Sequence, residues 1–354
     1  MEQLEYQEGR TEIAHLGKVP LIRRLTTDFP ICNPSTLMGV GDDCAVVQPS
    51  SESEMLTLIT TQTLVEGVNF DMMYTPLRHL GYKSAAIAAS NIAAMNGTPR
   101  QLLVSIAVSN RYSVEALDEL YAGILLCCKR YGIDLVGGNT ETARAGMTLT
   151  VTAIGEVSRQ AITYRRGAAL HDLVCCTGDL GSAYAGLLIL EREKVTYQAN
   201  PNFQPDLASY DYVLERFLKP EPRLDIIQLL AEKGIVPTAM TDISKGLADA
   251  ALHLCEASHC GCEIYEEHLP IDYQTSRVCS EMSSNLIPVS CALNGGDDYE
   301  LLFTISQKDY DKVKSLTEIH IIGHITEEGM PASLVTPQNT TITLRAQAFQ
   351  SNQP

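Results

Sequence analysis

Carboxylates, hydroxyls and paired glycines recur in this chain as short clusters: Gly41-Asp42-Asp43, Thr60-Thr61, Gly137-Gly138, Asp242-Ile243-Ser244 and Gly295-Gly296-Asp297-Asp298. Each is expected where a strand ends. Hard oxygen ligands of this kind suit Mg²⁺, which binds few protein carboxylates and bridges them to phosphate oxygens. Gly, Asp and Ser also dominate ordinary turns, so one such cluster alone reads as a turn. Five in one chain point toward a polyphosphate site. The familiar phosphate cradles are absent, with neither a GxxxxGK[ST] loop nor a GxGxxG after a strand.

The charge balance constrains how such a site works. A net charge of −17 disfavours nucleic acid and anionic membranes as partners, because both reward basic surfaces. An acidic protein holds polyphosphate by placing cations between its carboxylates and the phosphates, or by a local basic or amide-rich nest. Among the 11 cysteines, Cys127-Cys128 and Cys175-Cys176 sit inside apolar runs and read as small, reduced core residues. His253, Cys255, His259, Cys260 and Cys262 cluster, but no second ligand pair at zinc-site spacing accompanies them. No apolar run is long enough to span a bilayer. The acidic, polar start MEQLEYQEGRTEIAHLG lacks signal-peptide blocks, so the cytoplasm is the expected compartment.

These clusters must be positioned by alternating strands and helices. At 354 residues two domains are expected, with a boundary near 155–165: an N-terminal domain over 1–160 and a C-terminal α/β domain over 161–354. MLTLITT predicts a strand ending at Thr60-Thr61. Thr75-Pro76 is expected to start a helix running to about Met95, whose small residues AAIAASNIAAM permit close backbone packing. QLLVSIAVS reads as a strand, Ser113 as the cap of a helix ended by Gly132, and IDLV as a strand breaking at Gly137-Gly138. MTLTVTAIGEV returns as a strand. In the second half, DLVCCTGDLGSAYAGLLIL predicts strand, glycine turn and helix, and TAMTDIS with GLADAALHLCEAS predicts another such unit. Residues 194–208 and KPEPR read as connections, and strands surround NGGDDYELLFTI and IHIIGHIT.

Several segments resemble the ordered motif set of the thiamine-monophosphate kinase family. They are GVGDDCAVV, TTQTLVEGVNF, LGYKSAAIAASNIAAMNGTP, YGIDLVGGNT, MTDISKGL and NGGDDYELLF, followed by a closing AQAF at 346–349. The resemblance implies an α/β (α+β) fold of the aminoimidazole ribonucleotide synthetase type. It comprises an N-terminal mixed sheet that pairs across a homodimer and a C-terminal α/β domain. It implies transfer of the ATP γ-phosphoryl group to thiamine monophosphate, giving thiamine diphosphate. Donor and acceptor are both phosphates, so the barrier is repulsion and positioning, which Mg²⁺ ions held by aspartates can lower.

Carried over position by position, the resemblance implies metal positions at Asp43, Thr60, Thr61 and Asp242 and ATP contacts at Gly138, Asn139, Arg165 and Ser244. Substrate positions fall at Asn69, Asp297 and Phe349. The family pattern has aspartate where this chain has Gln62, Asn91, Asn139 and Lys245, histidine at Asn69 and glutamate at Asp297. Three aspartate-to-amide differences and one aspartate-to-lysine difference make the acidic apron five charge units less negative. The expectation is emptied metal sites and reduced or lost transfer. The alternative is a catalytically impaired paralogue that still binds nucleotide or thiamine phosphate.

Overall fold

The computed structural model describes residues 17–346 apart from 203, 206 and 284. Phe349 therefore lies outside the described residues. The chain builds two sheets, one from each half. The first carries β1 (Thr36–Met38), β2 (Ala45–Val47), β3 (Met55–Val65), β4 (Thr98–Val108), β5 (Asp134–Thr142) and β6 (Met147–Ser158), in the order β1-β2-β3-β6-β4-β5. All pairs are antiparallel except β4 with β5. Helices α1 (Lys18–Thr26), α2 (Leu77–Ala93) and α3 (Val114–Tyr131) accompany it.

The second sheet contains β7 (Leu173–Thr177), β8 (Ala239–Ile243), β9 (Gly261–Tyr265), β10 (Glu300–Ile305), β11 (Ile319–Thr326), β12 (Ala332–Val335) and β13 (Thr341–Thr343). Its order is β13-β12-β9-β11-β7-β10-β8, and only β12 with β9 is parallel. Its helices are α4 (Ser182–Ala199), α5 (Asp211–Leu218), α6 (Leu224–Glu232), α7 (Leu247–Ser258), α8 (Tyr273–Met282), α9 (Pro288–Asn294) and α10 (Tyr310–Val313).

Helix α2 is the keystone. Every residue from Leu80 to Ala93 is buried, because the helix packs on the first sheet, on α3 and on the second half at once. Small side chains make that possible. A Cβ on Gly81 would lie 1.9 Å from the Leu120 carbonyl oxygen, and one on Gly123 would lie 1.9 Å from that of Arg78. The two helix backbones therefore touch, as the AAIAASNIAAM pattern anticipates. The C-terminal alanines Ala93 and Ala94 pack against Cys175, Met240 and Phe303, joining the halves.

Ser113 caps α3 by accepting from the Ala116 amide, and Gly132 ends that helix in the left-handed region. Three expectations give way. Thr60-Thr61 lies inside β3, because Thr63, Leu64 and Val65 continue the alternation and pair with β6 along the whole strand. Gly137-Gly138 lies inside β5, where the glycines permit close approach: a Cβ on Gly138 would meet the Val104 carbonyl oxygen at 1.7 Å. Thr75 does not cap α2; Pro76 holds the cap position, and the Thr75 hydroxyl is buried without a partner. KPEPR links α5 to α6, yet it also anchors the fold, since Arg223 is buried and pairs with Glu300 at 2.6 Å.

Candidate active site

The cleft between the halves holds a cavity of about 720 Å³. The β1–β2 loop brings Asp42 and Asp43, β3 brings Thr60 and Gln62, and α2 brings Lys83, Ile87 and Asn91. The segment before β7 brings Arg165, the β8 end brings Asp242, Ser244 and Lys245, and α7 brings Asp249 and His253. Lys83, Ile87 and Asn91 stand four residues apart and form a stripe on one helix face. A second cavity of about 1050 Å³ adjoins the first and shares with it Lys18, Asn69, Ser244, Lys245, Asp249 and Asp297. Its far wall includes Tyr74, Glu191 and Lys194.

Buried carboxylates dominate the first cavity. Asp43 is 7% exposed, and the Arg165 guanidinium grips both its oxygens, with Nε donating to Oδ2 at 3.1 Å and Nη2 to Oδ1. The Arg165 amide also donates to Asp42 at 3.2 Å. Burial, then the neighbouring Asp43 charge, raises the Asp42 pKa to about 6. Burial and Asp43 likewise raise Asp242 to about 7, with Arg165, Ser244 and Lys245 offsetting part of the effect. Asp242 Oδ2 has no hydrogen-bond partner, and neither has Asp249 Oδ1. Burial raises Asp249 as well, and His253 stands 3.7 Å from it. Burial and the charges of Arg165, Arg23 and Lys18 lower His253 to about 4, so its imidazole is neutral at physiological pH.

The amide positions are engaged differently. Asn91 Nδ2 donates to the Thr60 hydroxyl at 2.9 Å, so both groups are partly committed to each other. Thr61 points to the opposite sheet face from Thr60 and bonds the Thr152 hydroxyl at 3.0 Å, because strand side chains alternate. Gly138 and Asn139 lie on the fully exposed edge strand β5, outside the lining of both cavities. The structure thus gathers Asp43, Thr60, Thr61, Gln62, Asn91, Arg165, Asp242, Ser244 and Lys245 in one place and leaves Gly138 and Asn139 elsewhere.

At the junction of the cavities, Asn69 accepts from the Val65 amide at 2.9 Å and holds the loop after β3. Asp297 sits at φ +63° and pairs with Lys83 at 3.0 Å. Burial would raise the Asp297 carboxyl, but Lys83, Lys245 and hydrogen bonds from Lys83 and Tyr299 outweigh it and lower the pKa. Lys83 also donates to the Phe217 carbonyl at 2.9 Å and lies 4.0 Å from that ring centre.

Sequence reasoning passed over Lys18, Lys83 and Asp249, and it grouped His253 with the cysteines. Helical phase parts them: His253 faces the cleft beside Asp249, while Cys255 is buried in the core of the second half. A lone lysine inside a run of small helix residues was the available signal for Lys83.

Whether this donor set fits Mg²⁺ turns on its open oxygens. The orphaned, buried Asp242 Oδ2 suits a hard cation, with Asp42, Gln62 and Thr60 in the same cavity. Asp43 is closed by Arg165. The set fits a cation at Asp242 and is thin for several.

Family models for AIR synthase related proteins match the chain, the N-terminal domain over residues 41–157 and the C-terminal domain over 177–335. Thiamine-monophosphate kinase of Bacillus subtilis is 31% identical over 328 residues, covering 91% of this chain and 96% of that protein. The chain belongs to the thiamine-monophosphate kinase family. A second member of the family, from Aquifex aeolicus, is 32% identical over 308 residues, 87% of this chain and 91% of its own. Among solved structures of the family, AaThiL complexed with AMPPCP and TMP superposes with a TM-score of 0.80 at 26% identity, covering 95% of this chain and 97% of that one. The hydrogenase maturation protein HypE of E. coli shares the fold, with a TM-score of 0.65 at 18% identity over 82% of this chain and 85% of its own.

Proposed function

We propose that this chain binds ATP in the smaller cavity and thiamine monophosphate in the larger one, with phosphoryl transfer between them weakened or lost. Membership of the family and the ligands held by AaThiL support the two binding roles. In this reading Arg165 and Ser244 serve the nucleotide, and Asp242 with Thr60 and Thr61 serves the metal, whereas Gly138 and Asn139 line neither cavity and Asp43 is held by Arg165. Asn69, Asp297 and Phe349 serve the substrate. When bound, Mg²⁺ neutralises and aligns the phosphates. The acceptor phosphate is already ionised, so these residues need to orient it and exclude water, not deprotonate it.

The observation that carries the weakening is the Arg165 fork on Asp43. With Asp43 neutralised and Asn91 bonded to Thr60, Asp242 is the carboxylate best able to take a cation. A kinase assay on the native chain beside Gln62→Asp/Asn91→Asp/Asn139→Asp/Lys245→Asp tests it. Faster turnover in the quadruple variant is expected; equal turnover would overturn the weakening. A binding-only paralogue is the second reading, favoured by the same fork. Calorimetry that detected neither AMPPCP nor thiamine monophosphate would remove it.

A homodimer belongs to this reading. The exposed β5 edge, with Leu135 and Val136 44% and 55% exposed, is a template for pairing with a second copy. Light scattering of the native chain and of Val136→Lys tests it, with a monomeric native chain as the adverse result. The proposed compartment is the cytoplasm; no described helix is long and apolar enough to cross a membrane.

A further inference from the structure

We propose that Lys18 and Lys245 form a built-in phosphate clamp that holds the nucleotide's polyphosphate without a divalent cation. The proposal rests on the reading of the cleft as a nucleotide site and adds how the charge problem is solved there.

The starting point is position. Lys18 opens α1 and Lys245 precedes α7, so they come from opposite ends of the chain, yet both line both cavities. A phosphoryl group passing from one cavity to the other must cross the junction they share. Both lysines also act on one carboxylate, Asp249, and Lys245 acts on Asp242 and Asp297 besides. Asp249 lines the same two cavities, so the two lysines and that carboxylate share one junction.

The other cations of the cleft are committed. Arg165 is spent on Asp43 and Lys83 on Asp297. Among the described residues Lys18 and Lys245 have no ion-pair partner, and both are exposed on flexible stems. Behind them stand two buried carboxylates, each with an oxygen that no donor satisfies: Asp242 at 6% and Asp249 at 7% exposure. An ammonium group is a compact point charge with three donors, able to face a carboxylate on one side and a phosphate on the other. The α7 helix begins at the same place without a side-chain cap, so its first amides add to the positive end. Gly296, at positive φ, packs close enough that a Cβ on it would meet Lys245 Cα at 3.2 Å. That contact holds the Lys245 backbone against the Asp297 loop.

The test is calorimetric titration of the full chain with AMPPCP, once with excess EDTA and once with excess Mg²⁺. Affinity in EDTA within about threefold of that in Mg²⁺ is expected, because the clamp is already charged. Lys18→Ala and Lys245→Ala are each expected to weaken binding in EDTA about tenfold, the scale of one charge-assisted contact, and Lys245→Arg to retain most of it. Both side chains are exposed, and thermal unfolding of each variant checks that the fold persists. Native binding that appears only with Mg²⁺ would overturn the clamp and leave the nucleotide site standing. Unchanged affinity in both alanine variants would also overturn it. Absence of binding under both conditions would overturn the clamp and the nucleotide reading together.

Discussion

Two acidic runs of nearly identical composition, Gly41-Asp42-Asp43 and Gly295-Gly296-Asp297-Asp298 with the following Glu300, do opposite jobs in this molecule. In the first run both carboxylates line the cleft, crowd each other and draw in Arg165. In the second only Asp297 faces the cleft. Asp298 turns inward and accepts from the Gly181 and Ala183 amides at 2.9 and 3.3 Å, satisfying the start of α4. Glu300 is 1% exposed and ties Arg216 and Arg223 at 2.8 and 2.6 Å, so it fastens α5, α6 and β10 together. Donors from the fold reach both runs; what differs is that Asp42 and Asp43 stay on the cleft wall, whereas Asp298 and Glu300 are enclosed. The orphaned oxygens stand across the cleft from the first run, on Asp242 and Asp249, and there the site is open to a ligand.

The comparison is broken most directly by Glu300→Gln. Two buried guanidiniums would lose their common counter-charge, and denaturant unfolding is expected to show a loss of ~3–5 kcal/mol. Lys83→Met, which leaves the partly exposed Asp297 without its cation, is expected to cost less, ~1–3 kcal/mol. Asp43→Asn should change stability least, by under ~1 kcal/mol, because losing the Arg165 pair is offset by relief of repulsion among Asp42, Asp43 and Asp242. An Asp43→Asn loss as large as that of Glu300→Gln would show that the first run is structural too.

The pH dependence sharpens the same contrast. Asp42 at about 6 and Asp242 at about 7 both stand above the ordinary 3.8, so the folded chain keeps protons that the unfolded chain releases. Their contribution to stability is full below the ordinary value and is lost as pH rises through 6 and 7. Melting temperature without metal is therefore expected to fall over that window, and less steeply in Asp42→Asn/Asp242→Asn. Mg²⁺ needs the ionised carboxylates, so the stabilisation it confers should be larger at about pH 8 than at about pH 6. Asp298, raised to about 7 by burial, adds a similar slope that Mg²⁺ should not rescue, since its oxygens face backbone amides. Equal rescue of native protein and Asp42→Asn/Asp242→Asn would contradict a cation site at Asp242.

Much of this was legible in the chain itself. Alternating apolar patterns, the Ser113 cap and the Gly132 stop predict elements that the structure contains, and the small residues of 85–95 announce a helix packed on every side. Asp43, Asp242 and Lys245 could be named as one site because their segments carry a motif set. The ends of β3 and β5 were not legible. Hydroxyls and glycines are turn residues by propensity, but full-length pairing with β6 and close approach to β4 absorb them into strands. Asn139 falls away from the cleft because of its edge position, not its residue type, and sheet alternation turns the Thr61 hydroxyl to Thr152 although Thr61 still lines the cleft.

By itself the sequence determined the family and the chemistry its residue types allow. Only the tertiary structure decided which charges remain free to use that chemistry. A carboxylate or an ammonium has the same composition whether it is buried against a partner or left open, and the partners here come from distant segments: Arg165 for Asp43, Lys83 for Asp297, the α4 amides for Asp298. Lys18 and Lys245 likewise line one junction only because α1 and α7 both reach it.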